Sequence, residues 1–223
     1  MRKKLRIFLI VAGCLFLLVL VGLYLLYRGT QYVPEEYIAV LEADPVEAAE
    51  AKDEALRQAA ALQSNVKKPG RWRALFTQEQ LNGWLAVDLP QNHADALPDS
   101  VSDPRVVIEP EQVTLFCRVE MSGVTTVASL TVQPHVPEPN ILAVRICKAR
   151  AGSVPMPLGE ALDRLSDIAG RAGYHLQWQQ ADGDPVAVLT VPPPRSDNGI
   201  AIQIDTLELD DGELYLSGTT ERN

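Results

Sequence analysis

The sequence predicts an α+β protein: an N-terminal transmembrane helix followed by a curved, mainly antiparallel sheet packed on two or three helices. Three observations carry that prediction. Residues 7–27 form a run of 21 residues with no charge and no strongly polar side chain. From Arg105 onward the pattern changes to the period of two that a half-buried strand requires, with its first strand read from Val113. Between residues 158 and 169, apolar residues instead recur at helical spacing.

The apolar run comes first. As a helix it rises roughly 32 Å, enough to cross the hydrocarbon core of a bilayer. Arg2, Lys3, Lys4 and Arg6 precede it and only Arg28 follows closely. The positive-inside rule then leaves residues 1–6 as a cytoplasmic basic tip and puts everything after Tyr27 outside the cell membrane as a single-pass protein. A cleaved signal peptide would be shorter and end in a small-x-small site, which Leu25-Leu26-Tyr27-Arg28 does not supply. Val11-Ala12-Gly13-Cys14 fits the pattern that places a lipid on cysteine, but the chain stays apolar for a dozen residues beyond it. An uncleaved anchor fits best.

Charge follows the same division. Four of the 20 basic residues precede the anchor and all 29 acidic ones follow it, so the outer part carries a formal charge of −13. Such a surface repels nucleic acid and confers solubility. Cys117 and Cys147 fall in expected strands on apolar faces, as buried free thiols or as a bridge, and no C-x-x-C occurs to imply a zinc or thioredoxin-like site.

Residues 28–70 read as a helical connector or stalk, and 71–223 as one extracytoplasmic domain. Pro34-Glu35-Glu36-Tyr37 opens a helix that breaks near Asp44-Pro45. The alanine- and glutamate-rich stretch 46–63 has high helix propensity but little large apolar surface, so it either packs shallowly on the domain or, as the favoured reading, stands as a polar stalk. Thr77 with Gln80 fits a capping box, so a helix starts at Thr77, with Phe76 as a staple. Leu81, Trp84 and Leu85 line one face, Gly83 implies close packing, and Pro90 stops the helix.

Residues 91–103 read as loop. Strands are expected at 113–121, 124–133 and 141–150, with Val113, Leu115, Cys117 and Val119 on the buried face and Pro134, Pro137 and Pro139 ending the second. The proline-pinned loop 151–159 leads into the 158–169 helix, whose stripe is Leu158, Leu162, Leu165 and Ile168. Tyr174, Leu176 and Trp178 share a face of the next strand, and His175 lies on its other face. Asp182-Gly183 is a hairpin signal, Pro192-Pro193-Pro194 an extended loop, and strands at 185–191, 200–209 and 213–217 bring the count to about seven.

No nucleophile elbow, P-loop, dinucleotide fingerprint or H-E-x-x-H occurs, and His93, His135 and His175 stand at no metal-ligand spacing. The reading is therefore non-enzymatic, with no cofactor or metal. What rises above background is apolar surface on one side of the sheet. If it fills, the domain has an ordinary core. If it falls short, sheet and helices enclose an apolar cleft for a lipid, with Phe76, Leu81, Trp84, Val154, Met156 and Leu158 as candidate entrance residues. The filled-core alternative is an interaction module for an envelope protein partner, docking through its acidic surface or the 46–63 helix.

The element order resembles the YpmS-like family of single-pass extracytoplasmic proteins and, more distantly, tubular lipid-binding (TULIP-like) domains such as LmeA. The resemblance rests on the basic start and anchor and on Phe76-Thr77-Gln78-Glu79-Gln80-Leu81-Asn82. It continues through the β-meander, Gly152-Ser153-Val154-Pro155-Met156-Pro157-Leu158, and the closing Asp211-Gly212-Glu213-Leu214-Tyr215-Leu216. It implies an anchored domain with a lipid site and no catalytic residues.

Overall fold

The computed structural model describes residues 2–121, 123–171, 176–181, 183–190 and 200–222. His175, the Pro192-Pro193-Pro194 run, Tyr174, Asp182 and the Cys14 and Ile168 side chains lie outside what is described. The architecture is α+β, as the sequence predicts.

Helix α1 (Arg2–Thr30) spans 29 residues, and its large apolar side chains from Leu15 to Tyr27 face outward. Among the described residues, one helical stretch is long and apolar enough to cross a membrane, and it is this N-terminal one. A free helix end leaves its last carbonyls without partners. Here the sheet domain supplies them. Gly29 O accepts from Ser153 N at 3.0 Å and Ser153 Oγ at 3.2 Å, and Thr30 O accepts from Thr126 Oγ1 at 2.6 Å.

Helix α2 (Glu35–Leu41) sends the fully buried Tyr37 against Phe116, ring centroids 5.6 Å apart, and its hydroxyl donates to Asp103 O at 2.8 Å. Asp44 then caps helix α3 (Pro45–Asn65) by accepting from Val46 N at 2.7 Å. Of the two arrangements the sequence leaves open, the favoured stalk and shallow packing, α3 takes the second and lies flat on the domain. Its alanines permit this: a Cβ at Gly83 would stand 2.6 Å from Ala48 O and 2.7 Å from Lys52 N, so the two helices meet backbone to backbone. Thr220 Oγ1 holds the far end through Val66 O at 2.9 Å.

Among the described residues ten strands form two sheets, against the seven expected. The smaller has the antiparallel order β1 (Gly70–Thr77), β10 (Glu213–Arg222), β9 (Ile200–Asp210). The larger runs β2 (Val101–Glu109), β3 (Gln112–Met121), β4 (Val124–Glu138), β5 (Ile141–Ala151), β8 (Asp184–Thr190), β7 (Leu176–Ala181), with short β6 (Val154–Pro155) beside β5. Helix α6 (Leu158–Arg171) is tied to β7 where Trp178 Nε1 donates to Ser166 Oγ at 2.8 Å. The missed strands are β1, β2 and β6. In β2, a positive-φ Asp103 and a register shift between Ser102 and Arg105 interrupt the alternation that periodicity needs.

Two local expectations are corrected. Strand β4 continues through Pro134 and Pro137, because β3 pairs with it only as far as Val132 and proline is tolerated where one edge is open. On β3 it is Phe116 that is buried, at 5 %, while Leu115 remains 43 % exposed, because Tyr37 covers the Phe116 face.

Candidate functional site

After Thr77 the chain forms helix α4 (Gln78–Gly83), whose capping box is complete: Gln80 N donates to Thr77 Oγ1 at 3.3 Å and Thr77 N to Gln80 Oε1 at 3.1 Å. A π-turn at Trp84–Asp88 follows, with Leu89 N bonded to Trp84 O, and helix α5 (Leu89–Asn92) carries on without a break. The expectation that Pro90 stops the helix is thus corrected. Widening to i→i+5 absorbs the missing amide and the ring clash.

Helix α4 is fixed to the edge of β2 by side-chain amides that act as a strand would. Asn82 Nδ2 donates to Val106 O and Asn82 Oδ1 accepts from Val106 N, both at 2.8 Å, and Ile108 N donates to Gln78 Oε1 at 2.8 Å. Gln78 and Asn82 are one helical turn apart and Val106 and Ile108 one strand period apart, so the two spacings match. The same device recurs where Asn140, in the β4–β5 turn, pairs with Ile204 of β9 through Ile204 N to Oδ1 at 2.9 Å and Asn140 N to Ile204 O at 3.1 Å.

These attachments leave a cleft of about 440 Å³ between α2, the start of α3 and the α4 segment. Its walls are small and apolar: Ala39, Val40 and Leu41 on one side, Ala48 and Ala51 on the next, Ala86 and Val87 opposite. Glu47, Glu79 and Arg105 add charge to the lining, and Arg105 Nη1 donates to Pro104 O at 2.7 Å. Gln78 and Asn82 also face it, so the lining mixes small apolar side chains with polar and charged ones.

The six residues expected at the entrance are divided. Phe76 pairs with Leu214 in the small sheet, and neither Leu81 nor Trp84 is among the residues lining the cleft that α4 helps enclose. Trp84 instead lies 5.9 Å from the His93 ring, beside the buried Asp88, which accepts from Asn92 Nδ2 at 2.7 Å and approaches His93 Nε2 at 3.6 Å. Val154 pairs with Ala151, Met156 N donates to Ala149 O at 2.9 Å, and Leu158 opens α6. From Val106 to Ala149 the register passes through Leu115 and Leu130, three strand steps or about 14 Å.

The cleft residues that the sequence reading passed over are alanines of α2 and α3. For those of α3 the signal was the alanine density of residues 46–63, which marks a helix able to approach another closely. No group of three or more metal-ligating side chains stands together among the described residues. Comparisons with protein-family models, curated proteins and solved structures return no match.

Proposed function

We propose that this chain is a single-pass membrane protein whose extracytoplasmic domain, without catalysing a reaction, takes an acyl chain or similar apolar ligand into the cleft beside α2. One observation carries the reading: a small-residue cleft of about 440 Å³ with Arg105 in its lining, reached a few residues after an N-terminal helix apolar enough to anchor in a membrane. Alanines leave the volume open that leucines would fill, and Arg105 offers a carboxylate a charge-assisted partner. The YpmS-like and TULIP-like resemblance points the same way.

Native mass spectrometry of the full chain, extracted from membranes in mild detergent, tests it. A retained mass in the fatty-acid or phospholipid range, lost in Ala86→Trp, is expected. An identical adduct pattern in Ala86→Trp would remove the cleft as the site.

A protein partner is the second reading, favoured by the outer face of the small sheet. There Arg71 and Arg73 share a groove of about 600 Å³ with Tyr215, Ser217 and Thr219, on a domain that is otherwise strongly acidic. Crosslinking in cells lost on Arg71→Glu with Arg73→Glu would support it.

A further inference from the structure

We propose that Ser129, Thr131, Lys148 and Arg150 bind the phosphate of lipid head groups in the leaflet from which α1 emerges, an inference that rests on the anchoring part of the reading above. These side chains share a second pocket, of about 350 Å³, with Tyr32 and Pro34 in its wall.

Placement comes first. Gly152 sits on the last turn of α1 so closely that a Cβ there would fall against the carbonyl oxygens of Gly29 and Thr30. Ser153 N donates to the same Gly29 O at 3.0 Å. The uncharged run of α1 ends at Tyr27, so Gly152 is held within a turn of the hydrocarbon boundary. Arg150 is two residues further along β5, about 7 Å away at strand rise. Its neighbourhood is therefore the depth at which lipid phosphates lie.

Chemistry agrees with placement. Lys148 stands opposite Thr131 and Arg150 opposite Ser129 on one face of the β4–β5 pair. Thr131 Oγ1 lies 3.1 Å from Thr114 Oγ1 and leaves one of the two hydroxyls free to donate outward. A guanidinium fork, an ammonium and two hydroxyls within a two-by-two strand patch match a phosphate diester oxygen set.

Charge completes the argument. On an outer part carrying −13, Lys148 and Arg150 are both exposed and form no ion pair among the described residues, whereas Arg145 of the same strand is held by Asp184 at 2.8 Å. Two carboxylates share the pocket. Glu109 accepts from Gln112 Nε2 at 2.7 Å and lies on β2, two strands from β4, and the exposed Glu36 comes from α2.

The test uses the full chain in vesicles of equal phosphatidylglycerol and phosphatidylcholine, with the lipids retained on detergent release counted by native mass spectrometry. Wild type is expected to retain phosphatidylglycerol in preference. Lys148→Gln with Arg150→Gln should cut that preference roughly 30-fold, the factor two basic side chains supply at ~1 kcal/mol each near an anionic surface. Lys67→Gln with Lys68→Gln, exposed just beyond α3, should leave it unchanged. No preference in the wild type, or an equal preference in the 148/150 variant with unaltered melting, would overturn the proposal. Inorganic phosphate that displaces the retained lipid at millimolar concentration would reassign the patch to a soluble anion. Release of the wild type from vesicles by alkaline carbonate would remove the anchoring premise itself, a distinct outcome.

Discussion

At the scale of single residues, two asparagines do work that is ordinarily done by strands. Asn82 satisfies both polar groups of Val106 at the edge of the larger sheet, and Asn140 does the same for Ile204 at the edge of the smaller one. Asn82 is itself buried, so Asn82→Ala leaves an amide and a carbonyl without partners and without water. A loss of about 3 kcal/mol in urea unfolding is expected, and Asn82→Asp should be no better because its carboxylate faces Val106 O. Cys117 gives a pH prediction. Burial raises its thiol pKa above the ordinary 9.0, so the folded chain holds that proton longer than the unfolded chain does. This contribution is complete below about pH 8.5 and declines as pH rises toward the folded value. Thermal melts across the alkaline range should fall less steeply for Cys117→Ala than for wild type.

At the scale of elements, α3 and the α4 segment define the cleft, and their contact depends on Gly83. Gly83→Ala puts a methyl group against the α3 backbone, for which no side chain can move aside. The expected cost is about 1–3 kcal/mol, with faster hydrogen exchange in α3 than in β3, read residue by residue. The capping box at Thr77 was legible because it depends on residues three apart in one segment. The π-turn was not: an isolated sequence shows Pro90 as a stop, and only the packing of both flanks makes a widened turn cheaper than an ended helix. Pro90→Ala restores an amide that the widened turn already does without and should leave the unfolding midpoint unchanged or raise it.

At the scale of the whole molecule, the N-terminal helices and the sheets form one continuous set of contacts. Tyr37 is fully buried against Phe116 and Val127, and α3 covers Gly83. A chain beginning at Gly70 therefore exposes core that one beginning at Tyr32 keeps. The shorter fragment should bind a hydrophobic dye and lose its cooperative thermal transition, while the longer one melts in a single step.

The sequence by itself determined the properties that depend on neighbours along the chain. These were the N-terminal apolar run, the acidic character of the chain after it, the capped helix at Thr77, the alternating strands after residue 113 and the close packing at Gly83. Tertiary structure alone decided what depends on pairs distant in the chain. It chose the Phe116 face of β3 over the Leu115 face, because Tyr37, 79 positions earlier, packs there. It laid the alanine-rich helix on the domain rather than leaving it as a stalk, because Gly83 gives its backbone a place to rest. It also divided the six apolar residues that one-dimensional reading had gathered into a single entrance. Periodicity reports which side chains share a face, whereas the closing of chain ends and sheet edges decides what that face meets.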